Sequence, residues 1–155
     1  MLDCSPNCRL QTGLATYTTK LQNFNVVKQT QITQGIEISI KPVYQEQYSN
    51  PQTDKYVFAY YVTIRNMGEV PVQLLRRHWF IYDSSNRLRE VEGEGVIGQT
   101  PVIRPGEKFE YNSWTEMHTT IGKMYGYYTM QRITDGVMID AEIPEFQLVA
   151  PFIQN

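Results

Sequence analysis

The segment VEGEGVIGQTP places Gly93, Gly95 and Gly98 at a literal G-x-G-x-x-G spacing. In dinucleotide-binding proteins that pattern lets the backbone approach a pyrophosphate, which rests on the N-terminus of the following helix. The chemistry needs a buried strand before the glycines and a helix after them. Here the preceding stretch is the charged LREVE, and the following one is QTPVIRPGE, where Pro101 and Pro105-Gly106 keep a helix from starting. Glu92 and Glu94 also stand inside the segment and repel phosphate. The favoured expectation is a glycine-permitted crossing from one sheet to the other, with positive φ at the glycines. The alternative keeps Gly93–Gly98 as a phosphate-binding loop, with Arg87, Arg89 or Arg104 supplying positive charge.

A second cluster is RRHW at 76–79. Arg76 and Arg77 form an adjacent basic pair, and Arg and Trp are enriched at interface hot spots. Together with Tyr48 and Trp114, read as loop aromatics, they make a candidate interaction patch. Trp79 reads instead as a core aromatic, with Phe58 and Tyr60 beside it, since a buried tryptophan on the third strand is common in β-sandwiches. Covalent or acid–base catalysis has little to work with. His78 and His118 are the two histidines, and neither has a G-x-S-x-G or similar partner motif. Cys4 and Cys8 form a bare C-x-x-x-C, too little for a zinc site, and the carboxylates are scattered. No catalytic residue, metal or cofactor is expected.

The elements that must position these residues are read from the whole chain. At 155 residues it is expected to make one domain. Its eleven tyrosines and six phenylalanines suit a pleated, half-buried surface. A net charge of −2 argues against general nucleic-acid binding. No apolar run long enough for a membrane helix and no secretory leader is apparent, and two cysteines cannot brace the domain, so a cytoplasmic setting is expected.

Residues 1–34 read as an extension, rich in Thr, Gln and Asn, in which Leu10, Leu14, Tyr17, Leu21 and Phe24 sketch a weak helical stripe. A poorly ordered tail is expected there, with the domain running from 35 to 155. GIEISIKPVY alternates Ile36, Ile38 and Ile40 against polar neighbours, and Pro42 suggests an edge or bend. KYVFAYYVTIRN sets Phe58, Tyr60, Val62 and Ile64 on one face. VQLLRRHWFIYD mixes its parities, so either both of its faces are partly covered or a bulge shifts the parity near Arg77. Further strands at LREVE, PVI, KFEYNSW, GKMYGYYTMQRI and VMIDAEIPEFQLVAP are separated by Gly, Pro and Asn turns, including Asp135-Gly136. Seven or more short strands at about ten-residue spacing predict an all-β sandwich.

These segments resemble the bacterial ApaG proteins. The resemblance rests on YVFAYYVTIRNMGEVPVQLLRRHWFIYD, VEGEGVIGQTPVIRPGEKFEYNS, GKMYGYYTM and IPEFQL, and covers about residues 35–151. It implies an immunoglobulin-like sandwich of the fibronectin type III kind. Names in the family have linked it to cobalt and magnesium efflux and to the neighbourhood of a diadenosine tetraphosphate hydrolase. Similar domains in larger eukaryotic proteins accompany an F-box or belong to a polymerase-delta-interacting protein. The resemblance therefore implies a non-enzymatic protein-binding module, with a nucleotide or pyrophosphate sensor as the alternative. The partner is expected to be a protein, not nucleic acid or membrane, and an exposed edge strand would allow a homodimer. Two departures stand out. SWTEMHTTIGKM carries Trp114 where the family has glycine and Ile121 where it has proline. The family also begins near Gly35, which makes Val26 or Val27 an alternative initiation site.

Overall fold

The computed structural model describes residues 27–151. The expected disorder and helical stripe of the N-terminal segment lie, up to residue 26, outside the described residues. Within them, nine strands follow in order: β1 Gln29–Thr33, β2 Ile36–Tyr44, β3 Tyr56–Asn66, β4 Val72–Asp83, β5 Leu88–Glu94, β6 Val102–Ile103, β7 Lys108–Met117, β8 Ile121–Arg132 and β9 Met138–Val149. Two short 3-10 turns, Glu46–Tyr48 and Pro51–Thr53, interrupt the connection from β2 to β3.

The strands form two antiparallel sheets packed as a sandwich. One runs β1-β2-β3-β7; the other runs β5-β4-β8-β9, with β6 added against the start of β4. β4 leaves the first sheet for the second and β7 returns to the first, so sheet membership switches along the chain as in immunoglobulin-like sandwiches.

The expected domain boundary at residue 34 needs correction. Gln29–Thr33 is a strand, paired residue for residue with Ile40 down to Ile36. Its side chains are mostly exposed, so it lacks the apolar alternation that marks a half-buried strand in sequence. Gln34 and Gly35 make the hairpin turn, both at positive φ (48° and 82°). Pro42 falls beyond the residues that β1 covers, where its missing N–H costs no cross-strand bond.

The core is built by alternation. Ile36, Ile38 and Ile40 of β2 and Phe58, Tyr60, Val62 and Ile64 of β3 point inward against β4, β8 and β9. Trp79 lies at the centre, with ring centroids 5.3 Å from Tyr60 and 6.1 Å from both Tyr128 and Phe146. The parity change in β4 comes from a register shift between Leu74 and Arg76. Leu75 is the extra residue, two positions before Arg77. It lets Leu74, Trp79 and Ile81 all face inward despite their mixed numbering. Asn66 is a buried polar residue that ties the layers together. Its Nδ2 donates to the carbonyls of Val70 (2.8 Å) and Ile103 (2.9 Å), while its Oδ1 accepts from the Gly68 N–H.

The two seams of the sandwich differ. On one side β1 and β2 pack directly beside β9, and the Glu142 N–H donates to the Thr33 hydroxyl at 3.1 Å. On the other side the edges of β5 and β7 stand apart, leaving an open cleft between the sheets.

Candidate functional site

The glycine segment does not cross between the sheets as expected: it leaves β5 as a tight hairpin and continues into β6, which pairs with the same β4. Val96 and Gln99 exchange both backbone bonds at 2.9 Å around Ile97 and Gly98. These two central residues have φ of 45° and 73°, as a type I′ turn requires. The three glycines are there for three reasons. Gly95 has φ +57°, and a Cβ on it would stand 2.1 Å from the Gln99 carbonyl oxygen. Gly98 has φ +73° and open space around it. Gly93 shows no positive φ, but a Cβ there would stand 3.0 Å from Arg77 Nη2.

Phosphate loops present converging amides; here the amides of Gly95, Val96 and Gln99 are spent on the protein's own carbonyls. Gly95 N–H donates to Leu75 O, and the Val96 and Gln99 amides close the turn. What the segment presents to its positive neighbour is carbonyls. Arg77 Nη1 donates to Glu94 O at 3.0 Å and to Gly95 O at 2.8 Å. Of the arginines considered as phosphate partners, Arg104 pairs with Glu107 in the β6–β7 turn, and Arg87 donates its backbone N–H to Asp83 beyond the far end of β5. Arg89 lies in the open cleft.

The expected patch of Arg76, Arg77, Tyr48 and Trp114 does not assemble. Adjacent residues on a strand point to opposite faces. Arg76 is on the outer surface of the second sheet, 3.9 Å from Glu92, and Arg77 turns into the cleft. Tyr48 and Trp114 belong to the other sheet, and Trp114 lies within β7 rather than in a loop. They do border one hollow. Together with Tyr61 they surround a hollow of about 530 Å³ on the outer face of β3 and β7, floored by Val57 and Ala59. Trp114 pairs directly across from Ala59, so the small side chain leaves the indole uncovered. Trp114, Tyr48 and Tyr61 are 65%, 62% and 48% exposed. The Lys55–Glu116 ion pair (3.5 Å) lies at the rim. Tyr61 was not singled out by sequence reasoning, although its outward parity in β3 is legible once Tyr60 faces in.

The cleft between β5 and β7 is the second concave feature, about 460 Å³. Arg77, Trp79 and Ile81 of β4 stand opposite Gly93, Val91 and Arg89 of β5, all on the inward face. Arg89 Nη2 reaches across to β7, donating to Thr115 Oγ1 at 2.7 Å and to Glu116 O at 3.1 Å. Behind the cleft, Tyr111 and Tyr128 share a buried hydroxyl–hydroxyl hydrogen bond. Burial pushes both phenols up, and it pushes Tyr60 up as well, against the Ser113 hydroxyl and the charges of Arg77 and Arg89. Both guanidiniums are therefore electrostatic neighbours of the Tyr60 hydroxyl.

His78 lies on the opposite, outer face of β4. Its ring stacks on Phe80 at 4.5 Å, meets the Tyr127 hydroxyl at 3.0 Å, and faces Glu90 at 3.3 Å and Glu92 at 3.7 Å. His118 lies near the rim of the cleft, 3.8 Å from Glu116. Among the described residues, no three His, Cys, Asp or Glu side chains gather into a metal-ligand set, and no helix is long and apolar enough to cross a membrane.

Comparison with known proteins adds the lineage. Residues 46–132 match the family model described as the ApaG domain. The chain is 47% identical over 116 residues to Protein ApaG of Dechloromonas aromatica, spanning 75% of this chain and 91% of that one. It is 46% identical over 114 residues to Protein ApaG of Escherichia coli, spanning 74% and 90%. A crystal structure from Bordetella pertussis carrying the name ApaA superimposes with a TM-score of 0.73 at 40% identity, covering 81% of this chain and 98% of that one.

Proposed function

The chain belongs to the ApaG family, and from that premise we propose that it is a cytoplasmic, non-enzymatic binding module whose outer β3–β7 face receives a protein partner. One observation carries the reading: Trp114, Tyr61 and Tyr48 stand exposed around a single hollow. Large aromatics on a monomer surface are ordinary when scattered, but a group of them at one depression marks an interaction site. The layout has the anatomy of an interface, an apolar floor of Val57 and Ala59 within a polar rim of Gln45, Asn112 and the Lys55–Glu116 pair. Tyr and Trp are the residue types that most often dominate binding energy. The partner is a protein that inserts an apolar side chain between the rings.

Parallel captures from the native cytoplasm with the full-length chain and with Trp114→Ala and Tyr61→Ala variants test this. A protein held by the wild type and lost from both variants supports the reading. Equal capture by all three chains overturns it.

A further inference from the structure

We propose that the inter-sheet cleft between β5 and β7 binds a small oxyanion, a phosphate or carboxylate group of a soluble molecule, between Arg77 and Arg89. The site is separate from the outer face assigned above and does not depend on it. Along the strands, the two arginines stand four positions apart, roughly 13 Å between their backbones. Their side chains enter the same cleft from its two ends, over Val91 and toward Ser113 and the Tyr60 hydroxyl.

Charge is the first argument. Among the described residues, neither guanidinium has a carboxylate within ion-pair distance; Arg65 and Arg87 share that, while Arg76, Arg104 and Arg132 each have one, but only Arg77 and Arg89 enter the cleft. Glu116 is the carboxylate in the cleft lining, and it is engaged by Lys55 at 3.5 Å and His118 at 3.8 Å. Arg77 is half-buried over the Trp79, Ile81 and Met124 side of the cleft and is screened by water less than an open surface charge, whereas Arg89 stands exposed at the mouth.

Donor geometry is the second. A guanidinium carries five N–H groups in a fixed fork that matches an oxyanion. The hydrogen bonds that anchor these side chains use Nη1 of Arg77 and Nη2 of Arg89. Among the described residues, Nη2 and Nε of Arg77 and Nη1 and Nε of Arg89 have no acceptor. The same anchors fix both forks in place, so binding costs little side-chain entropy. The Ser113 hydroxyl also lines the cleft, hydrogen-bonded to the Tyr60 phenol.

The test is an NMR titration of the full-length chain with inorganic phosphate at constant ionic strength, with acetate as the parallel arm. Expected are saturable shifts of the Arg77 and Arg89 Nε–H signals and of the Val91 and Thr115 amides. Saturation by phosphate alone assigns a phosphate ligand, and saturation by both assigns the wider oxyanion class. Because Arg89 also joins the two sheets, the decisive variant is Val91→Glu, which places a carboxylate in the cleft and leaves both anchors intact. It should weaken phosphate binding at least tenfold while the amide spectrum stays dispersed. Shifts centred on the Gly95–Gly98 amides, shifts that never saturate with either anion, or unchanged affinity in a folded Val91→Glu chain would each overturn the proposal.

Discussion

The guanidinium of Arg77 lies where the side chain of residue 93 would be. A Cβ on Gly93 would stand 3.0 Å from Nη2 and 3.2 Å from Cζ of Arg77. The first glycine of the motif is thus an accommodation for arginine, and the other two serve turn geometry. Alanine replacements at the three positions should therefore separate. Gly95→Ala strikes the Gln99 carbonyl, a backbone atom that cannot step aside, and should cost about 3 kcal/mol or more. Gly93→Ala should cost about 1–2 kcal/mol as the Arg77 hydrogen bonds to Glu94 and Gly95 weaken. Gly98→Ala has only its positive φ to overcome, about 1 kcal/mol. Urea unfolding of the three variants checks the order, which a shared phosphate-binding role would not produce.

Ile97 is a β-branched residue held at φ 45° and largely exposed. The left-handed region is costly for such a side chain, and Ile97 has little burial to offset the strain. Ile97→Asn gives the Asn-Gly pair that type I′ turns favour. It should raise stability by about 0.5–1 kcal/mol, seen as a higher urea midpoint with an unchanged slope.

The two tryptophans should behave oppositely. Trp79 is 2% exposed amid Tyr60, Tyr128 and Phe146, and Trp79→Ala should cost about 3–5 kcal/mol. Trp114→Ala removes an exposed indole and should change stability by no more than about 0.5 kcal/mol. Thermal denaturation of both variants distinguishes them.

Gly126 pairs with Trp79 beside the register shift in β8, and a Cβ there would stand 2.0 Å from the His78 carbonyl oxygen. The clash is with backbone in the middle of a sheet. Gly126→Ala should cost about 2–4 kcal/mol and disturb the His78–Tyr127 contact, read from unfolding curves and from the His78 ring signals.

Stability should fall in strong alkali through Tyr60, Tyr111 and Tyr128. Burial raises each phenol in the folded chain. In the unfolded chain tyrosine ionises near pH 10, at about its ordinary value. Above that pH the unfolded state holds fewer protons than the native one, so each buried tyrosine lowers stability by up to about 1.4 kcal/mol per pH unit until its folded value is reached. The contribution is fully present below pH 10. Urea unfolding at pH 9, 10 and 11 checks the slope, and Tyr111→Phe with Tyr128→Phe should flatten it.

Much of the architecture is legible along single strands. The alternation of Phe58, Tyr60, Val62 and Ile64 gives β3 its inward face without any knowledge of neighbours, because a strand's periodicity is local. β1 is hidden for the opposite reason. Its exposed side chains give no alternation, and its order comes from pairing with β2. The candidate sites are legible only in part. Which of Arg76 and Arg77 enters the cleft depends on the extra residue at Leu75, and a bulge is a property of the pairing rather than of the residues in it. Tyr48 and Trp114 are distant in sequence and come to line one hollow on the outer face of β3 and β7. Gly93, Gly95 and Gly98 match a familiar spacing while doing unrelated work, since the letters do not say whether an amide is free.

The unequal seams give the sandwich a mechanical polarity. Where β1 and β2 lie against β9, backbone and side chains both hold the layers. At the opposite side, one guanidinium bridges β5 to β7 through Thr115 and Glu116. The molecule is bound like a book, with a spine along one margin and, along the other, the Arg89 latch in front of the buried Tyr111–Tyr128 hydrogen bond. The least costly way for its covers to part is a swing about the spine, and the first bonds to yield are those of Arg89.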